Sequence, residues 1–225
     1  FTDVEFEIQI EKTNTNEHAY LVIDFGTTSS MVQVVNTAQA RMNIVALDLE
    51  EKHAGVELES ILLYPEEQSG DHQFAFGEQA VNQINIYPHN VVQSLKTIVN
   101  QNPDTEYYFI RVEKDIYGTE NDFSVRMTAQ ELLQIFLQEL KNRSERAYRE
   151  LAEKEVNKLG LEKNLIFERA VFTHPVELKN FAPLYTAAKN VGLTLDKDVR
   201  DFRKDSCIDE SSAALVSYIY SLFDS

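Results

Sequence analysis

The stretch from residue 20 to residue 35 allows few local structures. It reads Tyr-Leu-Val-Ile-Asp-Phe-Gly-Thr-Thr-Ser-Ser-Met-Val-Gln-Val-Val, in which two apolar runs flank a short polar segment. Runs of this kind around glycine and hydroxyl residues predict a strand, a tight turn and a second strand. We expect Gly26 to adopt a positive φ in the turn, where a side chain would cost about 1–2 kcal/mol.

The predicted turn is suited to an anion. Residues 27–30 all carry hydroxyl groups, and successive backbone N–H groups in such a turn form a concave anion site. Asp24 ends the first strand, where a carboxylate is costly unless a cation, a metal-bound water or hydrogen-bond donors meet it. We interpret Asp24 as a residue that holds Mg²⁺ through water. The alternative is that Asp24 caps the turn and that the hydroxyls are ordinary hairpin residues.

Composition argues against several classes of partner. The 225 residues include 21 Lys and Arg against 37 Asp and Glu, a formal net charge of −16. This charge disfavours nucleic acid and anionic membrane surfaces. Cys207 is the single cysteine, so there is no disulfide framework, and no Cys and His residues have zinc spacing. We find no signal-peptide pattern and no apolar run near the ~18 residues of a spanning helix, and we expect a cytoplasmic protein.

The first residues alternate between apolar and polar side chains from Phe1 to Glu11. This pattern predicts a half-buried leading strand within residues 1–18. The strand either ends an upstream region or pairs with residues 21–23. Because the chain begins in a strand without an initiating Met, we expect it to be part of a longer protein.

The middle of the chain predicts short strands at 44–49 and 60–64, a strand end and short helix from Phe74, and a helix carrying Lys96. Residues 100–123 predict strands, with their aromatic side chains packed locally. These aromatic residues are Tyr107, Tyr108, Phe109, Tyr117 and Phe123.

Residues 128–131 form a capping box, Thr-Ala-Gln-Glu, in front of an apolar helical repeat. We expect a helix from there to Gly160, with its charged second half facing solvent. A strand at 167–175, a helix from Asn180 to a stop at Gly192, a strand within 199–207 and a helix after Ile208 complete the prediction.

Several of these segments resemble the ATPases of the actin, sugar kinase and DnaK-type heat-shock chaperone superfamily. Residues 24–28, Asp-Phe-Gly-Thr-Thr, are similar to the first phosphate loop, which joins the first two strands of a lobe in that superfamily. Further segments follow in the order of the DnaK-type chaperones and extend the similarity to about residue 220. They are Glu59-Ser-Ile-Leu-Leu-Tyr64, Phe76-Gly-Glu-Gln-Ala-Val-Asn-Gln83, Ile86-Tyr-Pro-His-Asn90, Ser94-Leu-Lys96, Val171-Phe-Thr-His-Pro175, Ala187-Ala-Lys-Asn-Val-Gly-Leu193 and Ile208-Asp-Glu-Ser-Ser-Ala-Ala-Leu215.

The resemblance implies an α/β fold, the actin-like (ribonuclease H-like) ATPase lobe, with a mixed central sheet flanked by helices. Residues 19–38 and 129–225 would form the core, and residues 39–128 an inserted small α+β subdomain. The second phosphate loop and the adenosine loop of the family have no counterpart before Ser225. We therefore expect the first lobe only, with the protein's own second lobe as a partner. The isolated chain should bind ATP weakly or not at all and should not turn it over.

The resemblance also assigns phosphate chemistry to particular residues, with ATP or ADP and Mg²⁺ as cofactors of the intact protein. Asp24 would orient Mg²⁺-bound water, and Gly26, Thr27 and Thr28 would hold β- and γ-phosphate oxygens. Lys96 would neutralise charge that develops on the γ-phosphoryl group. From the residues alone, a solvated helix lysine is the favoured interpretation of Lys96.

Two further residues acquire roles by the same resemblance. Glu210 would position the attacking water, and Pro175 would relay the nucleotide state between subdomains. From the residues alone, Glu210 is also explained as a carboxylate at a helix N-terminus, which is worth about 0.3–1 kcal/mol.

The chain departs from the family pattern on its signalling path. His174 replaces a small apolar residue, Pro183 stands about where the family has an arginine, and Ser211 and Ser212 replace Pro-Thr. The implied function is a chaperone-type ATPase, whose lobe closure acts on client or co-chaperone proteins. The chief alternative is a non-hydrolysing scaffold or partner-binding protein on the same fold. A small-molecule kinase and a filament-forming actin relative are further alternatives.

Overall fold

A computed structural model describes residues 19–36, 43–50, 57–65, 74–114, 117–154, 165–174, 182–193 and 207–209. The leading strand predicted within 1–18 lies outside these ranges, as do Pro175, Glu210, Ser211 and Ser212. The backbone of His174 is described.

The largest sheet joins strands from both ends of the chain. Its members are β1 (Ala19–Phe25), β2 (Ser29–Asn36), β3 (Asn43–Ala46) and β4 (Glu57–Glu59), together with β10 (Ala170–His174) and β11 (Cys207–Asp209). The strand order is β11-β10-β1-β2-β3, and β4 also pairs with β2. β2 runs antiparallel to β1, β3 and β4, whereas β10 runs parallel to β1 and β11 parallel to β10. The chain is therefore an α/β protein with a mixed sheet.

The predicted strand, turn and strand at 20–35 are confirmed. β1 and β2 pair antiparallel from Ala19 opposite Asn36 to Phe25 opposite Ser30. Alternate side chains of β1 are buried, which is the period of a sheet with one face on the core. The ring of Phe25 lies 5.5 Å from that of Phe136 on the long helix that covers this face.

The remaining strands form two small sheets. β5 (Leu62–Leu63) pairs with β6 (Ala75–Phe76) and with β7 (Val91–Val92), while β8 (Glu106–Lys114) pairs with β9 (Glu120–Thr128). The helices are α1 (Gly77–Val81), α2 (Leu95–Gln101), α3 (Ala129–Lys154) and α4 (Ala182–Asn190). β3 and β4, from the predicted insert, extend the main sheet, and the division into core and insert stays a prediction.

Two predicted strands are shorter in the structure. The strand expected at 44–49 ends at Ala46. The strand expected at 60–64 is reduced to β5, while Ser60 donates its N–H to the carbonyl of Thr28 at 2.8 Å, one position beyond the last register pair of β2 and β4.

Local packing of the aromatic stretch is confirmed for two members, Tyr107 and Phe109, whose rings stack at 6.3 Å. Phe109 is buried, and its ring centroid lies 5.3 Å from that of Tyr64 and 5.5 Å from that of Phe74. The same prediction was wrong for Tyr108, Tyr117 and Phe123, which are exposed. These three residues occupy parts of the hairpin that extend beyond the core.

The capping box at the start of α3 is confirmed. The N–H of Thr128 donates to Glu131 Oε2 at 2.7 Å, and the N–H of Glu131 donates to Thr128 Oγ1 at 3.2 Å. The same hydrogen bonds from Thr128 lower the pKa of the Glu131 carboxyl group.

The second half of α3 differs from the prediction, which placed it towards solvent. Lys141, Ser144, Tyr148 and Ala152 are buried. Two of them tolerate burial because their polar atoms are hydrogen bonded: Ser144 Oγ donates to the Leu140 carbonyl at 2.7 Å, and Lys141 Nζ donates to a carbonyl at the end of α4 at 3.0 Å.

The end of α4 matches the predicted stop. The N–H of Gly192 donates to the Lys189 carbonyl, and the N–H of Leu193 donates to the Ala188 carbonyl. This pair of hydrogen bonds forms a Schellman motif, with Gly192 as its left-handed residue. Pro183 lies in the first turn of the helix, where a missing N–H breaks no helical hydrogen bond.

Tyr148 provides a test of the α3 interface. Its hydroxyl group is buried and has no hydrogen-bond partner among the described residues, while its ring packs edge-on against Phe167 at 5.6 Å. We expect Tyr148→Phe to raise the free energy of unfolding by about 1 kcal/mol, because the variant no longer buries an unsatisfied hydroxyl. Urea denaturation at neutral pH measures the difference.

The same residue predicts a pH dependence. Burial raises the pKa of the Tyr148 phenol from 10.0 to about 12. The neutral form is thus favoured in the folded protein, and the associated stability is complete below pH 10 and lost as the pH rises towards 12. Over that interval the wild type should lose about 2 kcal/mol more than Tyr148→Phe. Parallel losses in both proteins would contradict this assignment.

Candidate functional site

Two parallel strands bring Asp24 and Thr173 together. β1 and β10 are in register from Leu21 opposite Ala170 to Ile23 opposite Phe172, so that their carboxyl ends meet at one edge of the sheet. There the hydroxyl group of Thr173 donates a hydrogen bond to Asp24 Oδ1. Ligands of open α/β sheets bind outside this kind of edge.

The third parallel strand ends at the same edge. β11 pairs with β10 from Cys207 opposite Phe172 to Asp209 opposite His174. Glu210, assigned to the attacking water, directly follows Asp209 in sequence but lies outside the described residues, and Pro175 likewise follows His174.

The loop after β1 corrects one sequence expectation. Gly26 does not adopt a positive φ. Glycine is required there for another reason, because a Cβ on Gly26 would lie 2.1 Å from the carbonyl oxygen of Ser29. The side chains of Thr27 and Thr28, which lie between Gly26 and Ser29 in the loop, are exposed.

Not every hydroxyl group of the loop region is available to a ligand. Ser30 is fully buried, and its Oγ lies 2.9 Å from Ser60 Oγ. The interpretation of residues 27–30 as a run of phosphate-binding hydroxyls is therefore wrong at Ser30, which joins β2 to the chain between β4 and β5. Thr27 and Thr28 keep exposed hydroxyl groups.

Lys96 is carried towards this edge by α2. Its side chain is 7% exposed, so that it is not a solvated helix lysine. Nζ lies 6.0 Å from the centroid of the Phe25 ring, at the limit of a cation–π contact. Ser94, two residues earlier, has a φ of 56°, which is uncommon for a residue with a side chain. Such backbone conformations cluster at functional sites.

A small cavity links Lys96 to the end of β10. Its volume is about 10 Å³, the space of roughly one water molecule, and it has no room for a phosphate group. The residues that line it are Phe25, Lys96, Val99, Asn100, Leu133, Thr173 and Leu184. Thr173 thus contacts both Asp24 and the cavity that Lys96 lines.

Thr173 is the residue that sequence reasoning missed. Its strand was predicted, but its place beside β1 was not, since pairing between residues about 150 positions apart leaves no local signal. The available clue was its position near the carboxyl end of the predicted strand at 167–175. Phe25 lay within the loop motif and was assigned no role.

A larger cleft lies elsewhere, between α3 and the β6 and β9 strands. It has a volume of about 480 Å³ and contains none of the predicted site residues. Apolar, amide and charged side chains line this cleft, namely Phe74, Phe76, Gln79, Met127, Gln134, Ile135, Gln138, Glu139, Asn142 and Arg143.

The described part of the chain has neither a metal-binding cluster nor a membrane-spanning helix. No three Asp, Glu, His or Cys side chains of these residues are grouped closely enough to hold a metal ion. No helix in the same residues is long and apolar enough to cross a membrane.

No family model matches this sequence, and no curated protein matches it either. The similarity to the actin-like superfamily is therefore limited to the quoted motifs.

Proposed function

We propose that this chain is the first lobe of an actin-like ATPase of the DnaK chaperone type, which binds Mg²⁺-ATP and closes against a second lobe. One observation carries the proposal. Asp24 and Lys96, which come from different elements and were assigned to phosphate chemistry by motif alone, approach the same carboxyl edge of the sheet, and Thr173 lies between Asp24 and the cavity lined by Lys96.

The architecture supports the finer fold assignment. The candidate phosphate loop joins β1 and β2, the first two described strands of the mixed sheet. This is the position that the loop has in the actin-like superfamily. Helices α2 and α3 contribute Val99 and Leu133 to the cavity beneath the loop. We propose the actin-like fold on this basis.

The donor set fits phosphate and magnesium. Asp24 is an exposed carboxylate, a hard oxygen ligand of the kind that holds Mg²⁺ directly or through water. Thr27 and Thr28 expose hydroxyl donors beside it. Bound Mg²⁺ would neutralise charge on the outer phosphates. Among the described residues, Lys96 is the cation that we assign to the site.

The roles of the residues follow from these positions. Asp24 would hold a magnesium-bound water, with its orientation maintained by the hydrogen bond from Thr173. Thr27 and Thr28 would donate to phosphate oxygens, and Lys96 would stabilise charge that develops in the transition state. Because the cavity beside Lys96 admits about one water, this function requires Lys96 to change its rotamer towards the loop.

The proposal extends to residues outside the described ranges and to partners. Glu210 would position the attacking water, and Pro175 would relay the nucleotide state. The partners would be a second lobe of the same protein and client or co-chaperone proteins, rather than nucleic acid or membrane, in the cytoplasm. The net charge of −16 supports the exclusion of nucleic acid.

Titration of the chain with magnesium tripolyphosphate and with Mg²⁺-ATP tests the phosphate site. We expect amide chemical-shift changes to centre on residues 26–29 and on Lys96, with a dissociation constant of about 1 mM or weaker, because a single lobe supplies half of the donors. Asp24→Asn should abolish the enhancement by Mg²⁺ without weakening the binding of metal-free tripolyphosphate, because the substitution removes a negative charge beside the anion.

The outcomes separate the parts of the proposal. Shifts that avoid the loop, or no shifts at saturating ligand, would refute a phosphate site at this edge. Micromolar affinity would instead refute the requirement for a second lobe. As a matched control, Asp104→Asn changes an exposed carboxylate in the turn after α2 and should leave both titrations unchanged.

The cavity also favours one alternative function. Lys96 packed beside the Phe25 ring, without room for a phosphate, is what a non-hydrolysing scaffold on the same fold would retain. A scaffold of this kind would show neither loop-centred shifts nor dependence on Mg²⁺.

A further inference from the structure

The β8–β9 hairpin ends in an edge that the described residues leave open. Its two strands pair over nine residues each, and no described strand pairs with the outer side of β9. The outer side of β8 is different. There the Asn90 side chain donates to the Ile110 carbonyl at 2.7 Å and accepts the Ile110 N–H at 2.8 Å. The hairpin thus has one covered edge and one open edge.

The open edge continues into the exposed half of β9, whereas Phe109, Val125 and Met127 of the same hairpin pack against the core. All residues of β9 from Glu120 to Ser124 are exposed. A two-stranded hairpin is marginally stable in water unless a third strand or packing against other elements supports it. The outward N–H and C=O groups of an edge strand form a template for another strand. A strand added to β9 would support the exposed half of the hairpin and would pair with its outward N–H and C=O groups.

The sequence of β9 is complementary to itself. When the strand Glu120–Thr128 is laid antiparallel on a second copy with Ser124 at the centre, Asp122 faces Arg126 of the other copy, and Phe123 faces Val125. Each pair occurs twice because of the two-fold symmetry. Opposite charges and aromatic with β-branched residues are the cross-strand pairs that stabilise antiparallel sheets.

The neighbouring strand is compatible with this arrangement. Arg126 already lies on the exposed face, where Nη2 is 2.6 Å from Glu106 Oε1, and both side chains remain partly open to solvent. Ile110, opposite Ser124 in the hairpin, is 41% exposed. In the four-stranded sheet the two Ile110 side chains would flank the two central serines on one face.

We propose that two copies of this chain associate through β9 and form a continuous sheet in the order β8-β9-β9-β8, with Ser124 on the two-fold axis. The charge complementarity of Asp122 and Arg126 identifies a second copy as the occupant of the edge. This inference is independent of the ATPase proposal.

Cysteine cross-linking tests the register. In a Cys207→Ser background, Ser124→Cys should form a covalent dimer under mild oxidation, because facing residues in an antiparallel pair have Cα separations that a disulfide accepts. Asn121→Cys, exposed on the same strand, would face Met127 of the second copy and should remain monomeric under the same conditions. Equal cross-linking of both variants would show random collision and overturn the register.

Charge reversal tests the dimer without a covalent link. Asp122→Arg and Arg126→Asp should each weaken dimerisation of the full chain by at least about tenfold in analytical ultracentrifugation, because like charges then face each other. The double variant should restore it. Arg126→Asp also removes the contact with Glu106, and the double variant does not restore that contact. Recovered dimerisation in the double variant is therefore attributable to the pairing between positions 122 and 126 of the two copies. A wild-type protein that stays monomeric up to about 1 mM, or a double variant that does not recover, would refute the proposal.

Discussion

Lys96→Ala is expected to lower the single-turnover rate of ATP hydrolysis by about two to three orders of magnitude while nucleotide binding persists. The expected loss is that of one preorganised charge or donor aimed at a transition state. The proposal requires this measurement on a two-lobed protein, since one lobe is expected to bind ATP weakly and not to hydrolyse it. Rapid-quench analysis with enzyme in excess isolates the chemical step from product release.

Controls separate charge from packing, because Lys96 is buried. Lys96→Met keeps most of the aliphatic stem in place and should lose as much activity as the alanine variant. Lys189→Ala removes an exposed lysine of α4 and should retain the wild-type rate. Wild-type rates in Lys96→Met would remove Lys96 from the proposed chemistry. A wild-type protein without any hydrolysis would favour the scaffold alternative.

Gly77→Ala is expected to lower the free energy of unfolding by about 3 kcal/mol. Gly77 has a φ of +55°, which costs a residue with a Cβ about 1–2 kcal/mol. An added Cβ would also lie 1.7 Å from Glu50 Oε1 and 2.5 Å from Leu58 Cδ1. The Glu50 carboxylate cannot move freely, since it accepts the Glu78 N–H at 3.1 Å and lies 3.4 Å from Arg143 Nη1. Displacing it breaks both interactions, which adds about 1–2 kcal/mol.

Gly118→Ala is the matched control for this variant. Gly118 has a φ of +79° and open space around the added Cβ. Gly118→Ala should therefore lower the free energy of unfolding only by the cost of a positive φ, about 1 kcal/mol. Chemical denaturation of both variants, together with a Glu50→Ala and Gly77→Ala double-mutant cycle, measures the steric contribution. Equal losses in Gly77→Ala and Gly118→Ala would contradict the predicted clash.

Sequence alone predicted the elements whose signals are local. The strand, turn and strand at 20–35, the capping box before α3 and the stop at Gly192 each depend on residues within a few positions of one another. The sheet order β11-β10-β1-β2-β3 joins residues far apart in the chain, and the sequence carries no comparable mark for it. Thr173 was missed for the same reason.

Other predictions were wrong because they inferred burial or backbone conformation from residue type alone. The second half of α3 was expected to face solvent because it is charged, but Lys141 is buried with its ammonium group at a carbonyl of α4. Gly26 was expected to need a positive φ, whereas the close carbonyl of Ser29 excludes a side chain. In both cases a contact with a particular carbonyl group, rather than residue type, determines what the structure shows.

The two contacts of Ser60 bear on whether the β1–β2 loop can be transplanted. Its N–H binds the Thr28 carbonyl, and its hydroxyl group meets that of Ser30, so that a segment thirty positions away holds one side of the loop. A graft of residues 24–30 onto another hairpin would lack both contacts that Ser60 makes with the loop. Such a graft would copy the sequence of the loop but not its conformation, and the unit to transfer includes β4 and Ser60.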